Sequence, residues 1–304
     1  MDLVLVFVPG IKGSFLRGPE GRVWIDGRAL ARRGGPSILL RERDGIVPDG
    51  VIDAVPILPC FSLATYGPFL EAAAERALLL PFGYDWRRDA RETSRALRER
   101  LESLAGKRVV LVGHSLGGLI SLHAVRHGAK VSKLVLVGAP FGGSPSFLQD
   151  IALGDTVGRN RVLLAREAFA TWPSAFQLLP LAGKCFVDPS ADLDDLSLWK
   201  RNGWSVPDAP LERMLEARRA FRRELDEGDA SVETLVALGT GRPTVEKVGL
   251  PDFASSVRVS GDGRVTESSA RPSRLSFEEV QTQAEHGKIL SDREIQERIW
   301  RFIL

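Results

Sequence analysis

One serine set between glycines, four histidines and a few C-terminal acids are the groups in this chain of 304 residues best suited to acyl chemistry. Gly113-His114-Ser115-Leu116-Gly117 is its single Gly-x-Ser-x-Gly stretch. Val109-Val110-Leu111-Val112 before it reads as a buried strand, and Leu119 to Val125 after it reads as a helix. A strand, a sharp turn and a helix hold a serine hydroxyl up in a strained turn. Glycines flank the serine because that turn brings two backbones too close for side chains. The bland alternative is a structural turn with an incidental serine.

A serine hydroxyl attacks a carbonyl only when a base removes its proton. His114 lies inside the turn and faces its other side, and His123 and His127 fall on the following helix as surface or packing residues. His286 remains, in Glu285-His286-Gly287-Lys288, read as a loop before a final helix. The chain order nucleophile, acid, base then leaves the last place to His286. Asp262, in Ser260-Gly261-Asp262-Gly263-Arg264-Val265, is the chosen acid, with Asp252, Glu246 and Glu267 as competitors. It would fix the imidazole tautomer and stabilise the imidazolium. Gly-Asp-Gly also occurs as a plain turn. The oxyanion needs backbone N–H donors. Leu116, directly after the serine, supplies one, and Ile11 in the Val8-Pro9-Gly10-Ile11-Lys12-Gly13-Ser14 loop is the candidate for the other. This chemistry requires no metal and no organic cofactor.

The elements that must position these groups alternate. Leu3–Val8, Leu78–Phe82, Val109–Gly113, Leu134–Gly138, Leu235–Leu238 and Val257–Val259 read as strands, separated by amphipathic helical patterns. Capping boxes at Asp89/Glu92 and Ser291/Glu294 start two of the helices. The pattern is that of an α/β-hydrolase fold: a mostly parallel central sheet, helices on both faces and an inserted cap or lid. Residues 1–304 are expected to form one domain, with 141–231 as the insertion because that stretch is too long for a simple crossover. Residues 18–60, rich in Gly, Pro and Arg, read as turns and short hairpins.

A net charge of +2 gives no electrostatic case for nucleic acid or an anionic surface. Two cysteines, Cys60 and Cys185, without a CxxC or a Cys/His cluster, exclude a disulfide scaffold and a cysteine zinc site. No apolar run is long enough to span a membrane, and Pro9-Gly10 ends the N-terminal one too early for a signal peptide. A soluble, cytoplasmic protein is expected.

Longer motifs carry a resemblance. Val8-Pro9-Gly10-Ile11-Lys12-Gly13-Ser14, Pro81-Phe82-Gly83-Tyr84-Asp85-Trp86-Arg87, the serine turn, Ala139-Pro140-Phe141-Gly142-Gly143-Ser144, Trp172-Pro173-Ser174, Leu178-Leu179-Pro180, Gly239-Thr240-Gly241-Arg242-Pro243-Thr244 and Gly261-Asp262-Gly263-Arg264-Val265 occur in that order. So ordered, they resemble the lecithin:cholesterol acyltransferase family, which includes lysosomal-type phospholipase A2. The resemblance implies Ser115, Asp262 and His286 as triad and Ile11 with Leu116 as oxyanion donors. It implies acyl transfer from an ester lipid to water or an alcohol. It also implies a mobile lid near residues 145–171, with a static cap helix there as the alternative. Transient membrane-surface contact through such a lid is a separate expectation, because no local Cys pair staples a membrane-binding subdomain and the family's interfacial activation and lipoprotein partners do not carry over. Arg264 departs from the small hydroxyl residue usual after Gly-Asp-Gly. The rival readings are a small-ester carboxylesterase and a non-catalytic lipid-binding protein.

Overall fold

A computed structural model describes residues 3–25, 38–58, 61–64, 66–157, 159–183, 185–207 and 209–304. Cys60 and part of the 18–60 stretch lie outside the described residues. The strands are β1 (Leu3–Val8), β2 (Ser14–Gly18), β3 (Gly21–Trp24), β4 (Val47–Val51), β5 (Ala54–Leu58), β6 (Phe61–Ala64), β7 (Leu78–Pro81), β8 (Arg108–His114), β9 (Lys133–Val137), β10 (Glu233–Gly239), β11 (Arg242–Lys247), β12 (Val257–Gly261) and β13 (Glu278–Thr282). The helices are α1 (Gly67–Ala74), α2 (Ala90–Glu102), α3 (Leu116–Arg126), α4 (Ser146–Leu153), α5 (Arg166–Phe169), α6 (Pro173–Gln177), α7 (Leu196–Arg201), α8 (Leu211–Asp226) and α9 (Arg293–Ile303).

The apolar runs assemble into a six-stranded sheet, β13-β10-β9-β8-β1-β7, with every neighbouring pair parallel. Continuous apolar strands need both faces covered, and the period of two divides their side chains between two cores. Val4, Val6, Val8, Val109 and Leu111 point to the face covered by α2, α3 and α8, which contribute Leu97, Leu119 and Phe221. Leu3, Leu5, Phe7, Val110 and Val112 point to the other face, where α1 supplies Phe69 and α9 supplies Ile295, Ile299 and Ile303.

Three local readings are corrected. Val257–Val259 does become a strand, within β12, but it pairs antiparallel with β11 outside the main sheet. The main sheet instead takes β13, Glu-Glu-Val-Gln-Thr, whose mostly outward-facing side chains suit an exposed edge and hide it from any hydrophobic scan. The cap of α9 is Asp292, not Ser291: its carboxylate accepts from Glu294 N and Ile295 N at 2.9 and 3.2 Å.

Helices α4 to α8 lie between β9 and β10, and a buried arginine fastens this stretch. Arg222 on α8, 2% exposed, donates to the carbonyls of Pro140, Phe141, Leu178 and Leu179. Arg87 is fully buried and donates to both carboxylate oxygens of Asp85 at 2.9 and 2.8 Å and to Asp44 at 2.8 Å. Trp86 beside it donates to Ser14 O at 3.0 Å and packs between Trp24 and Trp172. Arg87→Ala would remove the buried cation that Asp85 and Asp44 share, leaving Asp85 only the more exposed Arg88 at 3.3 Å. It is expected to lower the unfolding free energy by about 3–5 kcal/mol, read as a lower urea midpoint at unchanged slope.

Candidate active site

Ser115 sits at the junction of β8 and α3 with φ 53° and ψ −122°, a backbone region that costs roughly 1–3 kcal/mol for a non-glycine residue. Close packing holds it there. A Cβ on Gly117 would lie 2.2 Å from Val8 O, one on Gly113 2.6 Å from Gly117 O, and one on Gly118 2.5 Å from the Ala139 Cβ. The turn is therefore pressed against the ends of β1 and β9, and Ser115 N donates to Val137 O at 2.8 Å. These are the C-terminal ends of the parallel strands, where open α/β sheets place their sites.

The two other residues chosen from sequence arrive from separate strand ends. Asp262 follows β12, and the loop after β13 brings His286, which opens a short 3-10 turn (His286–Ser291) rather than a loop. His286 Nδ1 lies 2.8 Å from Asp262 Oδ2, and His286 Nε2 lies 3.0 Å from Ser115 Oγ. The remaining Asp262 oxygen accepts from Arg264 N at 2.8 Å and Val265 N at 2.7 Å. Burial pushes the Asp262 carboxyl up, but the nearby His286 and these donors outweigh it and hold the group below the ordinary carboxylate range. An ionised Asp262 can only accept, so His286 Nδ1 is the donor to it, and Nε2 is the nitrogen turned to the serine O–H. Asp252, Glu246 and Glu267 make no contact of this kind with His286.

The Gly-Thr-Gly-x-Pro-Thr segment explains how Asp262 is placed. A Cβ on Gly239 would lie 2.4 Å from the Asp262 Cβ, and Thr244 Oγ1 accepts from Gly263 N at 2.8 Å. The Arg264 departure is absorbed because the motif works through backbone N–H groups. The Arg264 side chain turns away to pair with Asp150 on α4 and lies 4.4 Å from the Phe147 ring.

Leu116 opens α3, and the first N–H groups of a helix have no acceptor within it; no side chain caps this end. The β1 exit loop lies against the serine, since a Cβ on Gly10 would be 3.0 Å from the Ser115 Cβ. Ile11 follows Gly10 in that loop. Two tyrosines clamp it. Tyr84 O–H donates to Pro9 O at 2.8 Å, and Tyr66 Oη accepts from Gly10 N at 3.1 Å.

Tyr66 has no motif to announce it, and His114 is more than a bystander. His114 Nε2 lies 3.1 Å from His286 O, an acceptor only, so Nε2 carries the proton and Nδ1 accepts from Tyr66 O–H at 2.9 Å. A directed chain thus runs from Gly10 N–H through Tyr66 and His114 to the backbone of His286. Burial, with the neighbouring His286, pushes His114 down to about 3, so the ring is neutral and keeps this direction.

A family model described as the alpha/beta hydrolase family matches residues 5–273. The chain is 28% identical over 223 residues to "Uncharacterized protein YJR098C" of Saccharomyces cerevisiae, covering 66% of this chain and 33% of that protein. It is 28% identical over 220 residues to "Lysosomal phospholipase A and acyltransferase" of Bos taurus, covering 62% and 51%. The chain spans between a third and a half of the length of these curated relatives. A chain in "The crystal structure of Tle4-Tli4 complex" has the same fold, with a TM-score of 0.63 and 14% identity over 99% of this chain and 98% of that one. No helix among the described residues is long and apolar enough to cross a membrane.

Two buried histidines predict an acid-labile fold. His114 is held down to about 3 and His123 to about 4, both chiefly by burial, whereas an unfolded histidine titrates near ~6.5. The unfolded chain therefore binds the extra protons. The stability these neutral rings contribute is fully present above about pH 6.5 and is lost as pH falls toward 4 and 3, by up to ~1.4 kcal/mol per pH unit for each histidine. Urea unfolding between pH 7 and pH 4.5 measures this slope, and His114→Asn is expected to make it shallower.

Proposed function

The chain belongs to the alpha/beta hydrolase family, and on that premise we propose that it is a serine acyl hydrolase or O-acyltransferase of ester lipids. The observation that carries this reading is the unbroken line from Ser115 Oγ through His286 to Asp262, at 3.0 and 2.8 Å. Ser115 Oγ attacks the ester carbonyl carbon while its proton passes to His286 Nε2. Asp262 stays ionised and stabilises the imidazolium, which is consistent with its depressed pKa. The N–H groups of Leu116 and Ile11 hold the tetrahedral oxyanion. On collapse, the leaving alcohol takes the proton from Nε2 and the acyl group remains on Ser115. Water or a second alcohol, deprotonated by the same nitrogen, then releases it as acid or as new ester.

The lipid preference rests on the ordered motifs and on the similarity to a phospholipase and acyltransferase over 62% of this chain. Residues 141–231 are proposed to act as a cap, with 145–171 nearest the site. Two ion pairs support that placement: Arg264 with Asp150, and Lys12 of the loop after β1 with Asp155 at 3.5 Å. Ser115 is 2% exposed, so a long acyl chain requires the cover to move aside.

The test uses phosphatidylcholine vesicles containing a long-chain alcohol, with products resolved into free fatty acid and new ester. Ser115→Ala is expected to remove both products, and Asp262→Asn to lower the rate about 10⁴-fold without unfolding the protein. The acid-to-ester ratio divides hydrolysis from transfer. Turnover of short water-soluble esters alone would instead make the protein a small-ester carboxylesterase, and no turnover of either would leave a lipid-binding protein. Tyr66→Phe keeps the ring but breaks the line from Gly10 to His114. It is expected to lower kcat about 10-fold or more with little change in KM, because a donor and the base lose their alignment.

A further inference from the structure

We propose that His123, His127 and Glu224 form a binding site for a divalent transition-metal ion with the coordination preferences of zinc. The site is independent of the proposed reaction, which uses none of these residues. His123 on α3 and His127 at its C-cap are four residues apart, so their rings share one face and stack with centroids 4.0 Å apart. Glu224, more than ninety residues later on α8, reaches the same point. One nitrogen of each imidazole and one carboxylate oxygen lie within 4.8 Å of one another. Tetrahedral zinc with bonds of about 2.0–2.2 Å draws its ligands to roughly 3.4 Å apart, a contraction that side-chain torsions can supply.

The opposite end of each ligand is already held, as metal ligands require of their surroundings. His127 Nδ1 donates to His123 O at 2.8 Å, which leaves its Nε2 as the ligand. His123 Nδ1 lies 2.8 Å from Ser94 Oγ, and His123 Nε2 faces Glu224 Oε2 at 3.3 Å. Glu224 Oε1 accepts from Arg91 Nη1 at 3.3 Å, so Oε2 is the oxygen turned toward the histidines. Without metal, the Nε2–H of His123 bridges to Glu224; with metal, the proton moves to Nδ1 and Ser94 becomes its acceptor, so no net proton is needed. Arg98, which donates to His127 O at 2.9 Å, and Arg91 are cationic neighbours that weaken the site without occupying it. Two imidazoles and one carboxylate favour zinc, nickel, cobalt or copper over magnesium and calcium. His123 lies eight residues beyond Ser115, about 12 Å along the helix, so an ion here would clamp α3 to α8 without touching the serine.

The probe is Zn²⁺, added to untagged, chelator-treated protein and followed by calorimetric titration and thermal melting, with Mg²⁺ as the control. One equivalent of Zn²⁺ is expected to bind and raise Tm, and Mg²⁺ to leave Tm unchanged. His127→Ala and Glu224→Gln should each weaken Zn²⁺ binding at least about 10-fold, while His114→Asn should not. The metal-free His127→Ala protein should still melt cooperatively, and Glu224→Gln repeats the test should it not. Zn²⁺ binding only in the millimolar range overturns the proposal. So does equal affinity in His127→Ala and Glu224→Gln, or loss of binding in His114→Asn, because the ion would then sit elsewhere.

Discussion

The close approach of three backbones around Ser115 governs the rest of the structure. A non-glycine residue at φ 53° persists only where its surroundings outweigh the strain. Here the weight comes from packing that tolerates no side chain at Gly113, Gly117 or Gly118. The start of α3 is thereby pinned against the ends of β1 and β9. Once that crossing is set, the loop after β1 must pass beside Ser115, with Gly10 in contact with it.

Two lines of hydrogen bonds meet at His286 and come from opposite sides. One runs through its ring, from Asp262 to Ser115. The other grips its backbone, from Gly10 through Tyr66 and His114. A neutral His114 is what gives the second line its direction, and burial keeps that ring neutral. The carboxylate side is equally constrained, since Asp262 accepts from His286, Arg264 N and Val265 N together.

Farther out, buried arginines do the fastening. Arg222 directs its donors at four carbonyls, with no carboxylate among the described residues within hydrogen-bond reach, and Arg87 is enclosed by Asp85 and Asp44. Their planar, many-donor heads satisfy irregular backbone that neither sheet nor helix could satisfy. The Tyr-Asp-Trp-Arg and Ala-Pro-Phe-Gly-Gly motifs owe their side chains to this packing as much as to the site.

What was legible in the amino-acid sequence was whatever depends on neighbours along the chain. The five apolar strands, the turn at Ser115 and the chain order that singles out His286 are local, because period, propensity and turn chemistry act over a few residues. Asp262 was legible only as one of four acids, and residues brought together across the fold separate it from Asp252, Glu246 and Glu267. Edge strand β13, half-hidden by its charges, was invisible because an edge needs no apolar run. Tyr66 and Arg222 carry no local signature either, for their partners lie 48 and more than 40 residues away. The meeting of His123 and His127 with Glu224 is of the same kind. Helix spacing brings the two rings onto one face, and only the packing of α8 on α3 supplies the carboxylate.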